Sequence, residues 1–202
     1  MNKVFISIAF TALTVLSANA QFAANAIDVQ PLKIGQEVPD KMLVDGNGAS
    51  KSLHSVIGDK PTVIVFYRGD WCFNCINHFN EEIGPNLQKI SSLGYNFMFI
   101  GPDDPAHIRT TAGKINASPS IIYSDAAGEL SVAMGIAWQQ QERMLQTLAE
   151  HSGGKNKGFV PVISVFVVGA DKKIMFEDIR PDGIRAASRI KGKLIMAVLE
   201  NL

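Results

Sequence analysis

Apolar residues recur along this chain in two rhythms. Thr62-Val63-Ile64-Val65-Phe66-Tyr67 is β-branched and almost wholly apolar, the pattern of a strand buried on both faces of a parallel or mixed sheet. Behind it Ile76, Phe79, Ile83, Leu87 and Ile90 return at steps of three and four, which predicts an amphipathic helix with one core-facing stripe. Pro85 falls inside that stripe and predicts a kink near Gly84. Upstream, Met42-Leu43-Val44 reads as a short strand closed by the turn signal Asp45-Gly46-Asn47-Gly48, and Leu53 to Gly58 leads on to Asp59-Lys60-Pro61.

The same alternation continues downstream. Asn96 to Ile100 is a strand, and Asp103-Asp104-Pro105 starts a helix towards Lys114. Ile121-Ile122-Tyr123 is a short strand, with Ser124-Asp125 capping a helix from Gly128 to Met134. Trp138, Leu145 and Leu148 mark a further amphipathic helix, ended by Gly153-Gly154. Val162 to Val168 turns through Gly169-Ala170-Asp171-Lys172-Lys173 into Ile174-Met175-Phe176, and a helix from Ile184 to Leu199 closes the chain. Strands alternating with helices, plus a late hairpin, predict an α/β fold: a central mixed β-sheet flanked by helices.

The first residues stand apart from that fold. Lys3 precedes an uncharged apolar run from Val4 to Leu16, and Ala18-Asn19-Ala20 follows with small residues. This is the three-part pattern of a secretory signal peptide, and its apolar run is short for a membrane span. The sequence divides into a signal peptide at 1–20, a flexible lead-in at 21–33 and one domain at 34–202, with Ala24-Asn25-Ala26 as a second possible cleavage site. The expected location is periplasmic or secreted. Lysine plus arginine equal aspartate plus glutamate at 19 each, so no charge excess points to nucleic acid, or to a membrane surface once the signal is removed.

Export with two cysteines changes the picture. Cys72 and Cys75 are the only ones, three positions apart in Arg68-Gly69-Asp70-Trp71-Cys72-Phe73-Asn74-Cys75. A bridge across two residues constrains little of the unfolded chain, so a redox role fits the pair better than a structural staple. A thiolate is the nucleophile, and a free cysteine titrates near pH ~8.5. A helix beginning near Phe73 would point unpaired N–H groups at Cys72, and Arg68 would add positive charge. Cys72 is therefore the expected attacking sulfur. Cys75, a turn further in and less exposed, is the expected resolving one.

Two other readings of the cysteines compete. Cys72, Cys75 and His78 could offer three metal ligands, as in a periplasmic copper-handling protein, although a structural zinc site normally has four. His78 otherwise reads as a polar-face helix residue. The cysteines could also be an inert buried pair, and Trp71 could shield the site or simply pack.

The run Phe66 to Cys75 resembles the active-site segment of peroxiredoxin-like members of the alkyl hydroperoxide reductase/thiol-specific antioxidant family, which have a thioredoxin-like fold. Ile34-Gly35-Gln36-Glu37-Val38-Pro39 is similar to that family's opening. Ile121 to Leu130 resembles its later strand, aspartate and helix, and Val160-Pro161-Val162-Ile163-Ser164-Val165-Phe166 its proline-led strand. The resemblance implies an antioxidant oxidoreductase acting on peroxide or on protein disulfides. No bound cofactor is required, and electrons would come from a protein dithiol partner. It implies a cis Val160–Pro161 bond that sets Pro161 facing the cysteines and the Val160 backbone, with Trp71, facing substrate, open to strand addition. Cys72, Cys75, Arg68 and Pro161 are thus the expected catalytic residues.

The chain departs from the family, and from thioredoxin itself, in several places. Val65 and Gly69 stand where peroxide-reducing members commonly carry proline and a threonine or serine, so the peroxide-binding hydroxyl is missing. Phe66 replaces the buried aspartate of thioredoxin, which leaves water, Asp70 or Tyr67 as the base for Cys75. Phe73-Asn74 separates the cysteines without a proline. Ala137 to Gly158 looks like an insertion: either core cover, as most amphipathic helices are, or a wall shaping substrate access.

Overall fold

The computed structural model describes residues 22–181 and 190–202, so the expected signal segment lies outside the described residues. Strand β3 (Thr62–Phe66) is buried along its whole length. It pairs in parallel with β4 (Asn96–Gly101) on one side and antiparallel with β8 (Ile163–Val168) on the other. With both edges paired, the strand contributes alternate residues to the two faces of the sheet. Val63, Val65 and Tyr67 join one core, with Phe79, Phe99 and Ile195. Ile64 and Phe66 join the other, with Leu53, Met98 and Phe166.

The remaining strands extend this sheet in both directions. β1 (Met42–Asp45), β2 (Ser50–Ser52), β5 (Ile122–Ser124) and β9 (Ile174–Arg180) complete seven strands in the order β2-β1-β5-β4-β3-β8-β9. The sheet is mixed, as expected: β4 runs parallel to both β3 and β5, while β5 meets β1 and β8 meets β9 antiparallel. The helices are α1 (Leu53–Ile57), α2 (Phe73–His78), α3 (Leu87–Ser92), α4 (Pro105–Lys114), α5 (Glu129–Ala133), α6 (Leu145–His151) and α7 (Gly192–Leu199). The expected start of the last helix, Ile184, falls outside the described residues. No described helix is long and apolar enough to cross a membrane.

The long helix after the cysteines is broken earlier than Gly84. A π-helical turn at Phe79–Ile83 and a 3-10 turn at Gly84–Asn86 separate α2 from α3. Pro85 has no N–H to continue an α-helical ladder, and the widened turn before it absorbs the misfit. The apolar stripe survives because Phe79, Ile83 and Ile90 stay in one core.

At the periphery, Ala23 bridges Trp138, Phe22 stacks on Phe159 at 5.1 Å, and the Leu32 N–H donates to the Met134 carbonyl. One expectation there is corrected. Trp138 lies in a strand, not a helix. The excursion from 137 to 161 opens with β6 (Ala137–Gln139), carries α6, and returns as β7 (Phe159–Pro161). β6 and β7 form a separate two-stranded antiparallel ladder. Trp138 to Leu148 has helical spacing, but pairing with β7 and Ala23 overrides it for Trp138.

The register fixes where chemistry can occur. Phe66 faces Ser164, so the loop after β3 and the segment before β8 leave from the same end of the sheet. Tyr67 opens that loop, stacked on Phe99 at 4.0 Å and fully buried. Gly101 leaves room for the Tyr67 ring, since a Cβ there would come within 2.9 Å of Tyr67 Cδ1. Gly101→Ala should therefore destabilise the fold by about 1–3 kcal/mol through overpacking. Urea unfolding measures this, and an unchanged midpoint would refute the packing argument.

Candidate active site

Cys72 sits at the N-terminal end of α2 as its cap. Its Sγ accepts the Cys75 N–H at 3.3 Å, and its carbonyl accepts the N–H groups of Cys75 and Ile76. The two cysteines are joined by a disulfide. Arg68 Nη2 stands 3.5 Å from Cys72 Sγ, and its guanidinium carbon lies 5.8 Å from the centre of the Trp71 ring. Both donors aimed at Cys72 favour a thiolate there when the bridge is reduced. The expected difference in burial is not present: Cys72 and Cys75 are each 3% exposed. The two sulfurs are distinguished by their donors, not by accessibility. Between them Phe73 is 72% exposed, the most open side chain of the loop.

The loop backbone is held by a carboxylate that sequence reasoning assigned only to a helix start. Asp103 Oδ2 accepts the Tyr67 hydroxyl and the Asp70 N–H, both at 2.8 Å. Asp104, its neighbour, takes the capping role instead and accepts the N–H groups of Ala106 and His107. Asp103 is fully buried, and burial pushes its carboxyl up to about 7. Its Oδ1 has no hydrogen-bond partner among the described residues. Burial also holds the Tyr67 phenol well above its ordinary value, so Tyr67 donates and does not serve as a base.

Asp70 is equally committed. Its carboxylate meets His151 Nδ1 on one oxygen and Lys114 Nζ at 3.3 Å on the other, and its carbonyl accepts Lys114 Nζ at 2.8 Å. Asp70, Asp103 and His151 bring ligand-type atoms within 4.8 Å of one another. Lys114 already occupies this cluster as its cation, so the donor set does not suit a metal ion. The other candidate metal set is not assembled either. The two sulfurs are bonded to each other, and His78 is buried with its Nε2 on the Ile190 carbonyl at 2.8 Å. His78 therefore belongs to the core and not to a polar helix face.

Pro161 and Val160 are placed differently from the expectation. Every peptide bond among the described residues is trans, Val160–Pro161 included. Pro161 pairs with Ala137, between the bonds Val162 N–H to Ile136 and Gln140 N–H to Gly158. By the alternation of an antiparallel ladder this is a non-hydrogen-bonded position, where the missing N–H leaves no gap. The same alternation turns the N–H and carbonyl of Val160 towards Trp138. Val160 is fully buried, so its backbone is not open to an added strand. Gly69 has a φ of +128°, and a Cβ there would meet Trp71 Cδ1 at 2.8 Å and Asp103 Oδ1 at 3.1 Å. The place of the family's hydroxyl residue therefore has neither the backbone nor the room for one.

The model of the AhpC/TSA family matches residues 34–176. No curated protein sequence matches the chain. Among solved structures, a peroxidoxin, BcpB, from Mycobacterium tuberculosis superposes with a TM-score of 0.66 at 17% identity, covering 85% of this chain and 98% of that one. Peroxiredoxin 5 from Alvinella pompejana gives 0.66 at 19% identity, covering 85% and 100%. A peroxiredoxin-like protein from Aquifex aeolicus gives 0.65 at 14% identity, covering 85% and 88%. At these identities the likeness is one of fold, the thioredoxin-like fold expected from the sequence.

Two buried carboxyls make stability depend on pH. Asp103 at about 7 and Asp125 at about 6 are both raised by burial from an ordinary value of 3.8. The folded protein holds protons that the unfolded chain has released, so stability falls as pH rises through this window. The carboxyls of Asp40, Asp45, Glu82 and Asp104 are held low and stay ionised throughout it. Urea unfolding should show the protein more stable at about pH 5 than at about pH 8, by on the order of 1–3 kcal/mol. Asp103→Asn should narrow that gap, and an undiminished gap would remove Asp103 from the account.

Proposed function

The chain belongs to the AhpC/TSA family as a peroxiredoxin-like thiol-dependent oxidoreductase of the thioredoxin superfamily, and from that premise we propose that it reduces peroxides through Cys72, with Cys75 resolving. The thiolate of Cys72 attacks one peroxide oxygen. The O–O bond breaks, Cys72 becomes a sulfenic acid, and the other oxygen leaves as water or an alcohol after taking a proton. The thiolate of Cys75 then attacks the sulfenic sulfur, forming the disulfide and releasing hydroxide, which is protonated to water. Two electrons from a partner protein dithiol break that bond and restore both thiols.

The observation that carries the choice of a small oxidant is the occupied edge at Val160. β6 already pairs with the backbone that an extended protein substrate would use. Arg68 is the group left to stabilise charge at the attacking sulfur, since Gly69 supplies no hydroxyl. Phe73, exposed between the cysteines, offers the reducing partner an apolar contact. The three-part pattern at residues 1–20 supports export to the periplasm or the exterior.

The test counts free thiols against time after reductant is removed, with hydrogen peroxide in one arm and insulin in the other. Peroxide should consume two thiols in the native protein and none rapidly in Cys72→Ser. In Cys75→Ser it should consume one, left as a sulfenic acid that dimedone traps. Arg68→Met should slow the peroxide arm about tenfold, the loss of one charge-assisted contact worth about 1.4 kcal/mol. Fast Cys72-dependent exchange with insulin beside sluggish peroxide loss would instead make the protein a disulfide oxidoreductase.

A further inference from the structure

We propose that His151, carried on the 137–161 excursion, is a positioning residue of the redox centre: it fixes the Asp70 carboxylate and offsets its charge beside Cys72. The proposal rests on the redox reading of the cysteine pair. Asp70 lies two residues before Cys72 and is buried. Every polar group it owns is engaged, and from three separate parts of the chain. Its N–H goes to Asp103, after β4. Its carbonyl and one carboxylate oxygen take Lys114, the last residue of α4. The other oxygen takes His151, the last residue of α6. Gly69, immediately before it, accepts the Cys72 N–H at 3.0 Å. The position of the attacking sulfur is thus tied to Asp70 through a turn with little freedom.

His151 is itself held more firmly than core cover requires. Its carbonyl accepts the Asp104 N–H at 2.8 Å, and its ring stacks on His107 at 4.3 Å. His107 in turn is held by Asp104 Oδ1 at 3.0 Å. An ionised carboxylate only accepts, so the His151 nitrogen facing Asp70 is the donor. Without that donor, a buried carboxylate close to Cys72 keeps Lys114 as its one side-chain partner. More of its negative charge then acts on the neighbouring sulfur. A less stable thiolate means a less stable reduced form, which favours the disulfide.

The experiment equilibrates the full-length mature protein with glutathione buffers and reads the ratio of dithiol to disulfide. His151→Phe keeps a ring to stack on His107 and removes the donor. It should shift the equilibrium about tenfold towards the disulfide, or about 30 mV. His151→Gln keeps an N–H donor and should stay within about twofold of the native value. Asp70→Asn should shift the equilibrium the other way, and His151→Phe added to it should have no further effect. A folded His151→Phe protein with the native ratio overturns the proposal. So does Asp70→Asn at the native ratio, which decides the matter if His151→Phe does not fold. If the native pair never exchanges with glutathione, the redox reading fails; if it exchanges normally beside unchanged variants, only the role of His151 fails.

Discussion

The backbone from Arg68 to Trp71 passes from a fully buried strand to the cap of a helix while belonging to neither, and the Asp103 carboxyl group is what makes that passage possible. A buried N–H with no partner costs on the order of 1–3 kcal/mol. Asp103 meets the one at Asp70 and the hydroxyl of Tyr67 with a single oxygen. Tyr67 can then lie flat on Phe99 while its polar end is satisfied, and the turn that follows can deliver Cys72 to the start of α2. The arrangement leaves one carboxyl oxygen unmatched and the whole group dehydrated, which is why its proton is held so tightly.

Around that point the charges are interleaved. Asp70 pairs with Lys114 and His151 and Asp104 with His107, while the Arg68 guanidinium carbon stands 5.8 Å from the centre of the Trp71 ring. Carboxylates so close to a reactive sulfur would ordinarily raise its pKa. Here Lys114 Nζ stands beside the Asp70 carboxylate, and the groups aimed at Cys72 itself are donors: Arg68 and the Cys75 N–H. Cys72 Sγ therefore faces N–H donors although Asp70 lies two residues before it.

How much of this was legible in the sequence follows from how local each signal is. β3, the paired cysteines, the break at Pro85 and the capping by Asp125, which accepts the Leu130 and Ser131 N–H groups, are written in neighbouring residues. Asp103 was not legible in its role, because two adjacent aspartates before a proline look alike until the fold points one inward and the other outward. The pairing of Asp70 with His151 spans 81 positions, and nothing in either neighbourhood marks it. Trp138 was misplaced because its spacing to Leu145 and Leu148 is helical, while a partner strand more than twenty residues away decides its conformation. The cis bond at Pro161 was carried over from a family resemblance. The trans bond fits because Ala137 supplies a ladder position that needs no N–H.

The excursion from 137 to 161 is closed at its base, with Ala137 opposite Pro161. A loop zipped at its stem can grow or shrink without moving the scaffold it leaves, since the cost of its length falls on the loop alone. Such a segment is free to diverge as an interchangeable module. Its His151 reaches back to Asp70 in the turn before Cys72, however, so a change that moves the end of α6 moves a partner of that turn. A segment closed off from the scaffold at its stem thus still supplies a contact to the loop that holds the cysteines, and change there can reach that loop without any substitution in the scaffold itself.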